Sequence, residues 1–157
     1  MRVAEERIQG VLALNNAHPA EVSVLDEAGL RALLAQAIHA PVIGDVDAFM
    51  VVLDHTAEYA SPNYAWVKSR YARFAYVDRL VVSPAARGRG LARRMYAGLF
   101  QAAAAAGHTV VLCEVNQEPA NPASDALHAA LGFQPVGTAT VYGGSRTVQY
   151  LARPLPA

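Results

Sequence analysis

The sequence has little charge of either sign and almost no lysine. Only 17% of its 157 residues are charged, the formal net charge is zero, and Lys68 is the only lysine beside twelve arginines. Proteins that bind nucleic acid or anionic membranes in general present a net basic surface, and a neutral chain argues against both classes. We therefore expect neither nucleic acid nor a membrane as a partner.

Cysteine and long apolar runs are also scarce. Cys113 is the only cysteine, which excludes an intrachain disulfide and a cysteine-based metal site. No stretch approaches the roughly 18 apolar residues of a membrane span, and the start has no signal-peptide pattern. We expect one globular domain over residues 1–157, a cytoplasmic location and no bound metal. Four histidines have no metal-ligand spacing and are expected at the surface or at helix ends: His18, His39, His55 and His108.

What the sequence does contain is a cluster of arginines and glycines between a predicted strand and a predicted helix. The run is Arg87-Gly88-Arg89-Gly90-Leu91-Ala92. It follows an apolar, β-branched segment that stops at Ser83-Pro84, and it precedes an alanine-rich segment that ends at Gly107. Unpaired N–H groups at a helix start, the positive end of the helix dipole and two arginines together form an anion site of the kind that binds a pyrophosphate.

Two other phosphate-binding loops are excluded. A Walker A loop ends in Gly-Lys-Ser/Thr, and the only lysine is elsewhere in the chain. A dinucleotide-binding fingerprint requires glycine where Arg93 stands. A surface turn that carries arginines by chance is the remaining alternative.

Helix and strand patterns alternate along the chain. The apolar periodicity predicts helices at 4–15, 26–39, 90–106 and 122–130, a short helix near 65–70, and strands at 42–43, 48–53, 73–82, 109–116, 133–141 and 146–151. The last two strands flank Gly143-Gly144 as a hairpin. This alternation predicts an α/β fold with a mixed sheet covered on both faces. The segment 54–70 is irregular, and a long loop in a compact domain is usually functional or mobile.

The arginine-glycine loop resembles motif A of the GNAT superfamily of N-acetyltransferases, Arg/Gln-x-x-Gly-x-Gly/Ala, which Arg87, Gly90 and Ala92 match. The segments around the loop are similar to the same family. The run 80–84 resembles the end of its fourth strand, 110–115 its fifth strand, and 121–133 the following helix with a closing Leu-Gly-Phe. The stretches 61–64 and 121–125 resemble an uncharacterised branch of predicted acetyltransferases.

This resemblance implies a GNAT-like fold, with a central, mostly antiparallel mixed sheet between helices, and acetyl-CoA as cosubstrate. In the family the loop holds the pyrophosphate, the splayed fourth strand pairs through its backbone with the pantetheine amides, and an asparagine contacts the pantetheine arm. The expected cofactor-binding residues are Leu80, Val81, Val82, Arg87, Gly88, Arg89, Gly90, Leu91, Ala92, Arg93 and Asn121. Family members usually begin with a strand, whereas the helical pattern here starts almost at Met1. Homodimers are frequent in the family, which leaves a homodimer open.

Acetyl transfer from a thioester to an amine requires that the amine lose a proton. An alkylammonium with a pKa of about 10.4 is neutral at pH 7 in about one molecule in 2,500, a deficit of roughly 4.6 kcal/mol, whereas protonating the thiolate is worth only about 2 kcal/mol. Glu114 is the best candidate for the base, because an apolar strand raises a carboxyl pKa and the resemblance supports the same position. Alternatively, Glu114 pairs with an arginine or faces solvent. Asp78 is the second candidate, with an ion pair to Arg79 or Arg73 as its alternative.

A tyrosine three residues before Leu-Gly-Phe usually protonates the thiolate in this family, and His128 stands at that position here. An imidazole can give a proton to a sulfur, and His128 is therefore a candidate catalytic residue. Alternatively, His128 packs at the core edge of its helix, and Tyr142 is another candidate donor. Cys113 adjoins Glu114 on a pleated strand and points to the opposite face, which favours direct attack in a ternary complex over an acetyl-enzyme.

The sequence does not define the acceptor. Four aromatic residues either line its pocket or pack onto the core: Tyr59, Tyr64, Trp66 and Tyr71. The prediction is an N-acetyltransferase that acts on a primary amine of a small molecule or peptide. A non-catalytic acyl-CoA-binding or sensor module is the alternative.

Overall fold

A six-stranded sheet forms the centre of the computed structural model, which describes residues 3–19, 22–117, 120–144 and 146–156. The strands are β1 Val42–Ile43, β2 Ala48–Asp54, β3 Ala75–Val82, β4 Val110–Asn116, β5 Gln134–Val141 and β6 Arg146–Pro154. Their order is β1-β2-β3-β4-β6-β5, and every neighbouring pair is antiparallel except β3 and β4. The predicted mixed, mostly antiparallel α/β sheet is confirmed.

The helices are α1 Ile8–Asn16, α2 Glu27–Gln36, α3 Pro62–Lys68, α4 Leu91–Ala105 and α5 Pro122–Ala130. A 3-10 turn precedes α1, and residues 3–19 contain no strand. Within the described ranges, no helix combines the length and apolar character needed to cross a membrane.

The ends of two helices differ from the sequence prediction for local reasons. Helix α2 stops at Gln36 rather than His39, because Ala37 turns the backbone to an extended conformation and His39 forms a β-bridge with Val52. Helix α3 starts earlier than predicted, because the Ser61 side chain accepts a hydrogen bond from the Tyr64 N–H at 3.3 Å and a proline follows it.

Strand β2 shows how the sheet separates two apolar cores. Its residues alternate, so that Phe49, Val51 and Leu53 join the cluster that contains apolar residues of α1, α2 and α3. Met50 and Val52 join the cluster that contains the apolar residues of α4. Both sets are fully buried. Because alternate residues of a strand point to opposite faces, both faces of β2 are apolar. Helices cover both faces of the sheet, as the sequence predicted.

The position of the candidate site follows from a divergence of β3 and β4. These strands pair only at Ala75–Val111 and Tyr76–Leu112. Beyond that point β3 continues along β2 and β4 continues along β6. The register of β3 against β2 also shifts by one residue, since Val77 and Arg79 face consecutive residues of β2. Among the described strands, the edge of β3 that faces β4 therefore has no partner from 77 to 82.

Candidate active site

A cleft of about 740 Å³ opens where β3 and β4 diverge. It brings together many of the residues predicted for the site: Leu80, Val82, Arg87, Ala92, Glu114, Asn121 and His128 all line it. The other predicted residues are not among its lining: Val81, Gly88, Arg89, Gly90, Leu91 and Arg93. The predicted base thus shares one space with five of the eleven residues predicted to bind the cofactor.

The arginine-glycine loop enters α4 in a conformation that requires glycine. Gly88 and Gly90 have φ angles of +80° and +70°, and Gly90 is the N-cap of the helix, without a side-chain cap. A Cβ built at either glycine meets no atom within 4 Å, so the space in front of the loop is open. The N–H of Arg94 is the first to donate within the helix, to Gly90 O at 3.0 Å. The three preceding N–H groups have no acceptor in the helix and suit an anion.

Two predicted residues in and near this loop direct their side chains into the core. Val81 belongs to the apolar cluster on the α1–α3 side, and Leu91 belongs to the cluster on the α4 side. Arg89 and Arg93 are exposed, and Arg89 Nη2 lies 3.5 Å from Ala85 O. A contact of Val81 or Leu91 with a ligand would therefore be made through the backbone.

Glu114 lies in the cleft between hydrogen-bond donors from two other elements. The Tyr76 hydroxyl on β3 donates to Oε2 at 2.8 Å, and Asn63 Nδ2 on α3 donates to Oε1 at 3.1 Å. The Tyr150 hydroxyl on β6 in turn donates to Asn63 Oδ1 at 2.8 Å. Burial and the charge of Asp78 raise the pKa of Glu114 to about 8, although both hydrogen bonds oppose the shift.

Asp78 adopts the alternative that the sequence left open for it, an ion pair. Its Oδ2 accepts from Arg79 Nε at 2.8 Å, and both side chains are at least nine-tenths buried. Asp78 also lines the cleft, and its charge acts on Glu114 from the facing strand. The two carboxyl groups therefore have different surroundings: one has an arginine partner and the other has neutral hydrogen-bond donors.

His128 is buried and both of its ring nitrogens have partners. Nδ1 lies 2.7 Å from Ser124 O, and Nε2 lies 2.8 Å from the Tyr96 hydroxyl. A carbonyl oxygen only accepts, so Nδ1 carries the proton and Nε2 accepts from Tyr96. Burial lowers the pKa of His128, which keeps the ring neutral at pH 7. In this arrangement the ring is a hydrogen-bond acceptor before any proton transfer.

Cys113 and Glu114 point to opposite faces of the sheet, as predicted. Cys113 is buried in the cluster on the α4 side, whereas Glu114 contacts α3. Burial raises the pKa of the Cys113 thiol well above its ordinary value, so that the thiolate is disfavoured.

The aromatic residues of the irregular segment have different roles. Tyr59 lines the cleft. Tyr64 is buried and its hydroxyl donates to Asp54 O at 2.7 Å, which fixes the end of β2. Trp66 stacks on Tyr150 with ring centroids 3.9 Å apart and is absent from the described cleft lining. Tyr142, the other candidate donor, lines the cleft and is half exposed.

Four residues of the site were not singled out from the sequence: Asn63, Tyr76, Tyr96 and Tyr150. Asn63 lies in the Ser-Pro-Asn-Tyr stretch that carried part of the resemblance, which was a usable signal. The three tyrosines have only a pattern signal, namely a hydroxyl within an otherwise apolar stretch. A buried tyrosine requires a hydrogen-bond partner, but the pattern does not identify that partner.

His108 was expected at the surface or at a helix end; it lies just after the end of α4, but it is not at the surface. His108 is 4% exposed, and its ring packs edge-on against His55 with centroids 5.8 Å apart. Its Nε2 lies 3.8 Å from an oxygen of Asp54. The reason is tertiary, because the chain between α4 and β4 brings His108 against His55 and Asp54, which follow and end β2. In the part of the chain that the structure describes, no three His, Cys, Asp or Glu residues form a group able to hold a metal ion.

Comparisons with known proteins agree with this geometry. A family model described as the acetyltransferase (GNAT) family matches residues 56–133. A search of curated proteins found no match to the sequence. Among solved structures, Ard1 from Thermoplasma volcanium is 14% identical, with a TM-score of 0.77 over 100% of this chain and 97% of that one.

Two further solved structures have the same fold. The ribosomal-protein-alanine N-acetyltransferase from Brucella melitensis is 18% identical, with a TM-score of 0.72 over 99% of this chain and 98% of that one. YncA from Salmonella typhimurium, solved with its cofactor acetyl-CoA, is 18% identical, with a TM-score of 0.70 over 100% of this chain and 93% of that one.

Proposed function

Because the chain belongs to the GNAT acetyltransferase family, we propose that it is an acetyl-CoA-dependent N-acetyltransferase that moves an acetyl group to a primary amine of a small molecule or peptide. The amine attacks the thioester directly in a ternary complex. Support for the acyl donor comes from the similar fold of YncA, which was solved with acetyl-CoA.

This proposal depends mainly on one observation. The cleft between the diverging strands β3 and β4 reaches the glycine loop, and Glu114 lines it. The free edge of β3 suits a ligand that carries amides, because an extended chain can pair there as an added strand. The N–H groups at the start of α4 suit its diphosphate. A thioester bound along this path supplies the reacting carbon, and Glu114 lies in the same cleft.

Glu114 is the proposed base because its pKa reduces the cost of taking a proton from the amine. With a pKa of about 8 for Glu114, proton transfer from an alkylammonium with a pKa of about 10.4 costs roughly 3 kcal/mol. The same transfer to a carboxyl with the ordinary pKa of 4.5 would cost roughly 8 kcal/mol. The hydrogen bonds from Tyr76 and Asn63 hold the carboxyl in place. A direct mechanism is further supported by the burial of Cys113, which is unsuited to carry an acetyl group.

We assign His128 to the sulfur end of the cleft, as a hydrogen-bonding group with Tyr96. The leaving thiolate needs only about 2 kcal/mol of help at pH 7, and the Tyr96 hydroxyl can supply that by a hydrogen bond once its proton turns from His128 Nε2 to the sulfur. The Tyr96–His128 hydrogen bond of 2.8 Å supports a joint role for the two residues.

A non-catalytic acyl-CoA sensor is the second candidate. The observation that favours it is the engagement of both His128 nitrogens, since the ring then has no proton free for the thiolate. Turnover distinguishes the two functions. We expect CoA to bind in calorimetry and acetyl-CoA to release free thiol with at least one amine of a broad panel. Binding without turnover across the panel would support the sensor, and no binding of CoA would reject both.

The loop is tested with two matched glycine variants. Gly90→Ala and Gly143→Ala both place a side chain at a positive φ, +70° and +65°, in open space. Each is expected to lose about 1 kcal/mol of stability from backbone strain. Only Gly90→Ala should weaken CoA binding, by about tenfold or more, because its methyl group enters the anion site. Equal CoA affinity in both variants would contradict the role of the loop.

A further inference from the structure

We propose that Asp78 holds the acceptor amine as its ammonium ion, opposite Glu114, and so makes the protein selective for aliphatic primary amines that are positively charged in solution. This inference rests on the proposed N-acetyltransferase function and specifies the substrate class of the same site.

The position of Asp78 in the fold is the first support. Tyr76 and Leu112 are the last residues paired between β3 and β4, and their side chains share the core on the α1–α3 side. Asp78 and Glu114 each lie two residues further along, so they occupy corresponding places on the two diverging strands. Both line the cleft. An acceptor nitrogen between the strands would therefore lie between two carboxyl groups.

The charges in the cleft are the second support. Among the residues that the structure describes in its lining, Asp78 and Glu114 are the only carboxyl groups. At neutral pH the raised pKa leaves Glu114 mostly protonated before an acceptor binds. Asp78 is then the acidic group that an incoming cation meets. Its ion pair with Arg79 reduces the attraction of Asp78 for a cation, but little water screens what remains.

Arg79, the ion-pair partner of Asp78, makes its other hydrogen bonds to residues away from Glu114. Besides the ion pair, Arg79 Nη1 donates to Asn15 Oδ1 at 2.8 Å and to Ser23 O at 3.1 Å. Its Nη2 donates to Ser23 Oγ at 3.1 Å and to the Tyr59 hydroxyl at 3.4 Å. The guanidinium is thus committed to α1 and to the segment before α2. Arg79 balances the buried charge of Asp78 through one carboxylate oxygen. Because its other nitrogens already donate elsewhere, few N–H groups are left to bind an anionic acceptor.

A second arginine on the acceptor side is also engaged. Arg146 lines the cleft and its Nη2 donates to Pro19 O at 3.3 Å. Arg87, the third cleft arginine, belongs to the loop at the start of α4. Arg146 and Arg87 therefore lie on the hairpin and in the glycine loop, whereas Arg79 lies beside Asp78 on β3 and is already paired with it.

The test compares two probes of similar shape that differ in charge. Butylammonium and 1-butanol are titrated into protein saturated with CoA, which permits no acetyl transfer, and binding is followed by NMR chemical shifts. We expect butylammonium to bind at least about tenfold more tightly than 1-butanol. Equal affinities would overturn the proposal. CoA affinity is measured in the same samples, so a failure of the proposed function is recognised separately.

Substitutions at Asp78 then test whether this residue causes the preference for butylammonium. Asp78→Asn keeps the shape of the side chain and removes its charge, and the preference for butylammonium should fall to about threefold or less. Because that change leaves Arg79 without its counter-charge, the double variant Asp78→Asn/Arg79→Gln removes both charges and is measured in parallel. Asp45→Asn, an exposed turn residue, is the matched control and should retain the full preference. A preference that persists in the folded Asp78 variants would overturn the assignment.

Discussion

Glu114 is surrounded by hydrogen-bond donors that are distant from it in the chain. Asn63 and Tyr76 are 51 and 38 residues away, and both reach its carboxyl group. The apolar strand around Glu114 was enough to predict burial and a raised pKa. The donors were not predictable, because they depend on the register of β3 against β4 and on the position of α3.

Replacing Glu114 tests whether its carboxyl group takes the amine proton. We expect Glu114→Gln to keep the hydrogen-bonded shape and to reduce kcat by about 10²–10⁴-fold, with CoA affinity unchanged. In the wild type, kcat/KM should rise with pH and level off above about pH 8, because only the ionised carboxyl accepts a proton. The step should be absent in Glu114→Gln. A wild-type profile that is flat between pH 6 and 9 would contradict the assignment.

Replacing His128 tests how much the sulfur end of the cleft contributes. We expect His128→Asn to reduce kcat by no more than about 30-fold, because the thiolate needs only about 2 kcal/mol of stabilisation. Tyr96→Phe should have a similar effect, and combining the two changes should add little, since the residues share one hydrogen bond. The measurement is single-turnover thiol release. A loss as large as that of Glu114→Gln would instead make His128 the principal acid.

At the scale of elements, local signals defined α4 well and α2 less well. The alanine-rich segment and its flanking glycines predicted a helix at 90–106, and the helix is Leu91–Ala105. The predicted end of α2 was wrong by three residues, because His39 pairs with β2 instead of continuing the helix. Caps and glycines are local, and they can be recognised in sequence. A bridge to a distant strand is a tertiary contact and has no local signal.

The contact between α3 and the β5–β6 hairpin links the packing of Trp66 to the active-site residue Asn63, because Tyr150 contacts both. Trp66 packs against both the Tyr150 ring and the backbone of Gly137, and a Cβ at Gly137 would approach Trp66 Cη2 to 2.9 Å. We expect Gly137→Ala to destabilise the protein by about 1–3 kcal/mol and to lower kcat, because Tyr150 holds Asn63. The measurement is urea unfolding alongside turnover.

A second glycine provides the control for this change. Gly98 lies in the middle of α4, where a Cβ meets no atom within 4 Å. Gly98→Ala should stabilise the protein by about 0.5–1 kcal/mol and leave turnover unchanged. If both glycine variants have the same stability, the packing of Trp66 against Gly137 does not constrain the hairpin.

At the scale of the whole molecule, a polar cluster lies near the end of the sheet opposite the β3–β4 opening. His108 and His55 pack together there, with Asp54 and Arg73 beside them. Each histidine has a buried Nδ1 without a hydrogen-bond partner among the residues that the structure describes. Burial lowers the pKa of His108, and Arg73 and His55 act in the same direction, although Asp54 opposes them. The folded protein therefore disfavours a charged ring at this position.

This cluster predicts a loss of stability in mild acid. Below its ordinary pKa of 6.5, His108 takes up a proton more readily in the unfolded chain than in the folded one, so the free energy of unfolding falls as the pH drops. We expect His108→Gln to lose less stability than the wild type between pH 7 and 5, measured by urea unfolding. Above pH 7.5 the difference between the two proteins should be constant. Parallel curves down to pH 5 would show that His108 does not titrate on unfolding.

The sequence alone determined the alternation of helices and strands, a sheet covered on both faces, the glycine loop at the start of α4, and Glu114 as a carboxyl within an apolar strand. These features depend on residues close together in the chain, through side-chain period, backbone φ preference and local capping. Only the tertiary structure decided that β3 and β4 separate after Tyr76, that Asp78 pairs with Arg79, and that both nitrogens of His128 are engaged. Each of these depends on strand register or on contacts between distant elements, which the packing of the whole chain sets and no local pattern encodes.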